Sequence, residues 1–247
     1  EAVHPSIEEL AARIGVSVST LLRFVKKLGY GSYQEFRIAL ATETLKPESR
    51  YYEIDVEESG DPVGISCKAA RTALDMTEKL VDRDCLRTVS EMACKSAWVC
   101  IFGLGGSGLV ARDALHKLIR SGIRCQSAED FHLQLMMASQ VGEGDLALLI
   151  SHTGANKDSL AIAEVLRRNN CPLVVITTYP RSPLARMADY LLVAGAPGSS
   201  VISEAFSARI AHLAIIDSLY IEVMGQLKAR GMRNVEKMRT AIAGRRI

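Results

Sequence analysis

Residues 149–158 read LISHTGANKD. An apolar run ends abruptly in Ser151, His152, Thr153 and Gly154, and Asn156 follows before a polar helix start. Two hydroxyls, a glycine and a side-chain amide at the end of a buried strand suit the recognition of an anion. A second loop carries similar chemistry. GLGGSG runs from Gly103 to Gly108. Gly106 lets backbone amides approach an anion, and Ser107 opens a helix whose N-terminus carries partial positive charge. Together Gly106, Ser107, Ser151, Thr153, Gly154 and Asn156 make a cradle for one phosphomonoester, with His152 expected to point away from it. No P-loop lysine and no metal-binding pair accompany these loops, which disfavours a nucleoside triphosphate. The competing reading is that the Ser and Thr merely cap the helix that follows. Through Gly103, Gly105 and Gly108 the first loop also matches G-x-G-x-x-G, with Glu129 and Asp130 about 20 residues on. A dinucleotide fold, however, leaves SHTGAN and Ser107 without a purpose.

These loops need strands behind them. AWVCIFG, IRCQSA, DLALLIS, PLVVITT and YLLVAG read as five apolar strands. Helical segments alternate with them: SGLVARDALHKLIRSG, EDFHLQLMMASQ, NKDSLAIAEVLRRNN and a turn at PLARMA. Two helices come first, VGISCKAARTALDMTEKLV and CLRTVSEMACK, the second capped by Asp84. That alternation predicts an α/β fold with a doubly wound, five-stranded parallel sheet. Such sheets bind ligands at the carboxyl ends of their strands. The segment from Glu204 to about Leu227 is helical throughout and has more apolar positions than one sheet face can cover. It is expected to help bury a subunit interface.

Ahead of this body stands a small all-α head, with helices predicted at 6–14, 18–28 and 33–45. Ser6 with Glu9, and Ser32 with Glu35, form capping boxes. Ser17 precedes the second helix and Gly29 ends it. Ala11 is small where two helices cross, and Gly15 sits where the turn needs positive φ. Leu10, Ile14, Val16, Leu21 and Phe24 are expected to fill the core between them. Ser17, Ser19, Thr20, Arg23, Lys26 and Lys27 are left facing outward. Hydroxyls at a helix N-terminus with basic residues behind them suit base edges and phosphates respectively. The alternative is a packing module with a solvated basic face.

Composition bounds the rest. In 247 residues, 48% are apolar and 23% charged, with a net charge of +2, as in an ordinary soluble globular protein. No stretch of 18 uncharged apolar residues predicts a membrane span. The six cysteines include no C-x-x-C pair, which fits reduced core thiols in the cytoplasm. Residues 51–62, with five acidic side chains and no basic one, read as a linker. The C-terminal LKARGMRNVEKMRTAIAGRRI, with seven basic residues against Glu236, reads as a solvated helical tail.

These motifs carry a resemblance. The second half resembles a SIS (sugar isomerase) domain, whose phosphosugar site uses a G-x-G-x-S loop and an S-x-[ST]-G-x-[ST] loop. SIEELAARIGVSVSTLLRFVKKLGYGSYQEF is similar to the DNA-binding head of the RpiR/MurR family of bacterial transcriptional regulators. The resemblance implies a helix-turn-helix domain over 1–50, preceded by a further helix or two, and a SIS domain over 63–247. It places phosphate contacts at Ser107, Ser151 and Thr153, and at Asn156, where the family usually has Thr. It also suggests that His132 reaches sugar hydroxyls and that Glu204 lies near the site. The implied protein is a cytoplasmic homodimer or higher homo-oligomer that binds a double-stranded DNA operator. Its effector would be a phosphorylated sugar, amino sugar or sugar acid, with no cofactor, metal, membrane or catalytic role. A sugar-phosphate aldose–ketose isomerase, with Glu204 or His132 as base, is the alternative; a dinucleotide-binding regulator is a third and weaker one.

Overall fold

The three central apolar runs become strands covered on both faces. The computed structural model describes residues 7–33, 36, 61–197 and 204–244. Two units divide the chain, Glu1–Arg50 and Tyr51–Ile247.

In the larger unit the strands are β1 (Val99–Gly103), β2 (Cys125–Ser127), β3 (Leu146–Ile150), β4 (Leu173–Thr177) and β5 (Tyr190–Val193). They form one parallel sheet in the order β2-β1-β3-β4-β5. Six of the surrounding helices are α3 (Pro62–Leu80), α4 (Arg83–Lys95), α5 (Gly106–Leu118), α6 (Phe131–Gln140), α7 (Lys157–Arg168) and α8 (Glu204–Leu227). The C-terminal helix is α9 (Ala229–Ala243), and the smaller unit contributes α1 (Ile7–Ile14) and α2 (Val18–Lys27).

Alternate residues of each strand enter opposite cores. Val99, Ile101, Leu146, Leu148, Ile150, Val174 and Ile176 share a cluster with Ala111, Ala114 and Leu118 of α5 and Ala211, Ile215, Leu219 and Val223 of α8. On the other face Cys100, Phe102, Ala147, Leu149, Leu173 and Val175 meet Ala138 of α6 and Ile162, Ala163 and Leu166 of α7. Every residue of β1, β3 and β4 is buried, which is why these strands read as continuous apolar runs without alternation. Fully burying a Leu, Ile or Phe side chain contributes about 1.5–3 kcal/mol. Lys117 of α5 adds a cross-link to α8, bonding Asp113 on its own helix and Asp217 at 2.6 Å each.

All six cysteines are free thiols, with Cys100, Cys125 and Cys171 buried. Burial pushes the Cys171 thiol up to about 12 and Cys125 up to about 11, so both stay protonated.

Several local expectations need correction. Asp82, not Asp84, caps α4, accepting from the Asp84 and Cys85 amides at 2.9 and 3.0 Å. Asp61 and Pro62 belong to the start of α3 as N-cap and first residue, so the acidic stretch ends sooner than expected. The rest of that stretch, 51–60, lies outside the described residues, as do Ser6, Glu35 and most of the third head helix. Only three residues of PLARMA are helical, as a 3-10 turn at Ala185–Met187. Residues 205–227 do pass a test of length and apolarity for a spanning helix, at a mean hydropathy of 1.3. In the fold, that helix buries Ala208, Ala211, Ile215, Ile216, Leu219 and Val223, the last five in the cluster shared with β1, β3 and β4.

In the head, Ser17 caps α2 by accepting the Thr20 amide, and Gly15 and Gly29 take φ of +71° and +88°. Ala11, Leu21, Val25 and Tyr33 are the buried side chains. Ile14, Val16 and Phe24 are not core, as expected from sequence, but exposed, Phe24 by 53%. At 100° per residue Leu21 and Val25 share the face that meets α1, and Phe24 falls on its flank.

Candidate functional site

β1 and β3 are neighbours with Gly103 opposite Ile150, so the loops that leave them start side by side. This is also where the strand order reverses, from β2 on one side to β4 and β5 on the other. Sheets of this order bind ligands at that point. Here the fold brings GLGGSG and SHTGAN together.

The first loop is tight. A side chain at Gly103 would put Cβ 2.6 Å from the Ser107 carbonyl oxygen, so β1 and α5 can approach only over glycine. Gly105, at φ +55°, is the N-cap of α5 and offers no side-chain cap to its amides. Gly106 faces open space. Conformation does not restrict it to glycine, because an added Cβ there would meet no atom within 4 Å. Ser107 sits in the first turn of α5, half-buried.

The second loop is internally bonded. Ser151, 5% exposed, accepts the Gly154 amide on Oγ at 3.2 Å. Thr153 Oγ1 accepts the Ala155 amide at 3.4 Å. Both hydroxyls thus use an oxygen lone pair locally and retain a hydrogen to donate. Gly154 takes φ +60°, and its carbonyl accepts the Leu184 amide at 3.0 Å. Asn156 caps α7, its Oδ1 accepting the Asp158 and Ser159 amides at 2.8 and 3.3 Å. The capping role read as an alternative falls on Asn156, whose Nδ2 hydrogens are the part suited to a ligand oxygen. The N-termini of two helices of 12 or more residues, α5 and α7, therefore follow adjacent strand ends. Amide dipoles at helix N-termini and hydroxyl donors are groups suited to an anion.

His132 is the second residue of α6 and exposed, its ring 5.7 Å from Phe131. Glu204 is the first residue of α8, and its side chain lies outside the described residues. The acidic pair once read as a ribose partner is otherwise engaged. Glu129 bonds Arg112 at 2.7 Å, and Asp130 caps α6 through the Leu133 amide. Among the described residues no group of His, Cys, Asp and Glu could hold a metal.

Two features escaped the sequence reading. Gln134, fully buried on α6, accepts from the Gly103 amide and donates to the Gly103 and Ala128 carbonyls, at 3.2, 2.8 and 2.9 Å. It clamps the start of the glycine loop. His152 turns from the loop toward Thr178, with Nδ1 3.0 Å from its hydroxyl, while His212 of α8 faces the same hydroxyl through Nε2 at 3.4 Å. Burial pushes His152 down to about 4, and burial with the neighbouring His152 pushes His212 down to about 3, so both rings are neutral. The available signal was a polar residue inside an apolar helical run, Gln134 in LQLMM and His212 in IAHLAII.

In the head, Ser17, Ser19, Thr20, Arg23, Lys26 and Lys27 are all exposed. Helical spacing puts the last five on the arc opposite Leu21 and Val25.

Two family models match this arrangement: the SIS domain over residues 91–222, and the helix-turn-helix domain of the rpiR family over residues 1–47. The chain belongs to the RpiR family of SIS-domain transcriptional regulators. It is 28% identical over 224 residues to the HTH-type transcriptional regulator RpiR of Escherichia coli K12, covering 89% of this chain and 75% of that one. An uncharacterized HTH-type transcriptional regulator of Caldanaerobacter subterraneus is 29% identical over 98% of this chain and 86% of its own. Among solved structures, the Vibrio vulnificus NanR protein complexed with ManNAc-6P superposes with a TM-score of 0.71 at 27% identity, covering 99% and 88% of the two chains. The RpiR transcription factor sugar isomerase domain of Sphaerobacter thermophilus matches at 0.65 and 21%, covering 72% and 97%. A putative sugar-phosphate isomerase of Listeria monocytogenes matches at 0.59, but at 17% identity the likeness is one of fold. This RpiR-family chain is a transcriptional regulator.

For its head, Arg23→Ala in the intact protein is expected to weaken operator binding about tenfold or more, since a lost base contact costs about 1–3 kcal/mol. Lys26→Ala should weaken specific and non-specific DNA alike. Footprinting and salt titration check both; wild-type footprints from each variant would show that α2 does not read the operator.

Proposed function

We propose that this RpiR-family regulator takes a phosphorylated sugar, amino sugar or sugar acid as its effector, held by phosphate at the paired loops. Gly106, Ser107, Ser151, Thr153, Gly154 and Asn156 surround the phosphate, and His132 and Glu204 face the sugar. The head, residues 1–50, binds double-stranded operator DNA through Ser17, Ser19, Thr20, Arg23, Lys26 and Lys27, in the cytoplasm. A homodimer supplies two heads for successive major grooves. Exposed Phe206, Ile210 and Ile221 on α8, with Leu133 and Met136 on α6, give it apolar surface to bury.

The observation that carries the effector reading is the register of Gly103 with Ile150, which starts both donor-rich loops at one point. NanR, complexed with a phosphorylated amino sugar, supports the ligand class. A thermal-shift screen tests the reading. A phosphosugar at 100 times its dissociation constant should add about 2.7 kcal/mol. For a protein of this size that is roughly 5–10 °C in Tm. Equal shifts from a sugar and its phosphate would refute it.

A further inference from the structure

Outside the cradle itself, one partly buried polar chain links an expected effector loop to the last long helix of the sheet. His152 lies between Ser151 and Thr153, and its ring nitrogen Nδ1 is 3.0 Å from Thr178 Oγ1. His212 Nε2 comes to 3.4 Å of the same oxygen. His212 is 2% exposed, in the middle of α8. The ring of His152 also stands edge-on to Tyr179 at 5.5 Å and to His212 at 6.3 Å. The backbone completes the link. The His152 carbonyl accepts from the Thr178 amide at 3.1 Å and from Thr177 Oγ1 at 3.0 Å.

We propose that His212 is a positioning residue for the effector loop, acting through Thr178 and His152 so that α8 is tied to the residues that hold the phosphate. This rests on the effector reading of the loop. The chemistry is restrictive. A threonine hydroxyl has one hydrogen, so it can donate to only one of the two rings. If it donates to one, the nitrogen of the other must carry a proton and donate to it. The tautomers of the two neutral rings are therefore coupled, and the orientation of His152 is set from α8. Ser151 Oγ and Thr153 Oγ1 flank His152 and fold back on the Gly154 and Ala155 amides, so turning that residue turns both donors. Linkage makes the effect mutual: whatever α8 does for effector binding, effector binding does for α8.

Hydrogen exchange of the intact protein tests this without any ligand. In His212→Leu and in Thr178→Val, the Gly154 and Ala155 amides should exchange about tenfold faster, the loss expected for one internal hydrogen bond. The buried amides of β3 should exchange as in wild type. His212→Gln, which can present a nitrogen or oxygen at the reach of Nε2, should restore the loop. Loop amides that exchange as in wild type, or a uniform acceleration that includes β3, would overturn the role. Titration with inorganic phosphate adds a second arm. His212→Leu should weaken it several-fold, and the same change in a Ser151→Ala background should add little, because the two act through one loop. Full additivity would overturn the coupling. A wild-type protein that binds no phosphate would strike the effector reading instead, and the exchange result would still decide what His212 does.

Discussion

Gly154→Ala is expected to abolish measurable effector binding while the sheet remains folded. Two costs combine at this position. A side chain at φ +60° carries a penalty of about 1–2 kcal/mol. Its Cβ would also lie 2.1 Å from Ser182 Oγ and 2.7 Å from Ser182 Cβ. Ser182 cannot simply swing away, since its hydroxyl accepts the Ala185 amide at 3.2 Å. The loop must therefore move, and with it Ser151, Thr153 and the start of α7. Ser151→Ala is the milder companion. It removes one donor to a charged oxygen, worth about 1.5–3 kcal/mol, so affinity should drop about tenfold or more. The loss should be the same factor for every phosphosugar that binds, because the cradle reads phosphate and not the ring. His132→Ala should instead reorder the sugars. Calorimetry with the phosphosugars that score in the thermal screen measures all three variants. Wild-type affinity in Gly154→Ala would remove the loop from the site.

Acid should destabilise the protein steeply through its two buried imidazoles. His152 and His212 have native values of about 4 and about 3, both below the ordinary 6.5 of an unfolded chain. Between these limits the unfolded state binds more protons than the native state, so stability rises with pH. The contribution is complete above about pH 7 and is lost as pH falls through 6.5 toward the native values. At pH 5 each histidine costs about 2 kcal/mol, or about 4 kcal/mol for the pair. Chemical denaturation from pH 7.5 to 5 measures it. His212→Gln should remove about half of the slope in that interval. A wild-type stability that is flat down to pH 5 would mean that the rings titrate freely in the folded protein.

The reach of sequence reading follows the range of the forces involved. Apolar runs and helix caps are local. The five apolar runs, Ser17 ahead of α2 and glycines at the positive-φ positions 15 and 29 therefore all translate directly into the observed elements. So does the exposed basic face of α2, since a helix periodicity needs no partner to define it. Errors arose where a neighbour decides. The hydrophobic character of Ile14, Val16 and Phe24 suggested core, but Ala11, Leu21, Val25 and Tyr33 form it and those three are exposed. In the glycine loop, the close contacts at Gly103, where helix meets strand, and the positive φ of Gly105 are likewise visible only in the fold.

By itself the sequence determined that two donor-rich loops each follow a buried strand and each open a helix, because residue type and spacing along one chain suffice for that. It equally determined the head and the class of the sheet. What only the tertiary structure decided is which strands are neighbours. Hydrogen bonding across the sheet places β1 beside β3, 47 residues on at Val99↔Leu146, and so merges the two loops at one point. The same crossings bring Gln134 under Gly103, 31 residues away, and His212 to Thr178, 34 residues away. Contacts at such separations leave no periodic trace in a single chain, because the register of packed elements is set by the whole core and not by the residues that meet.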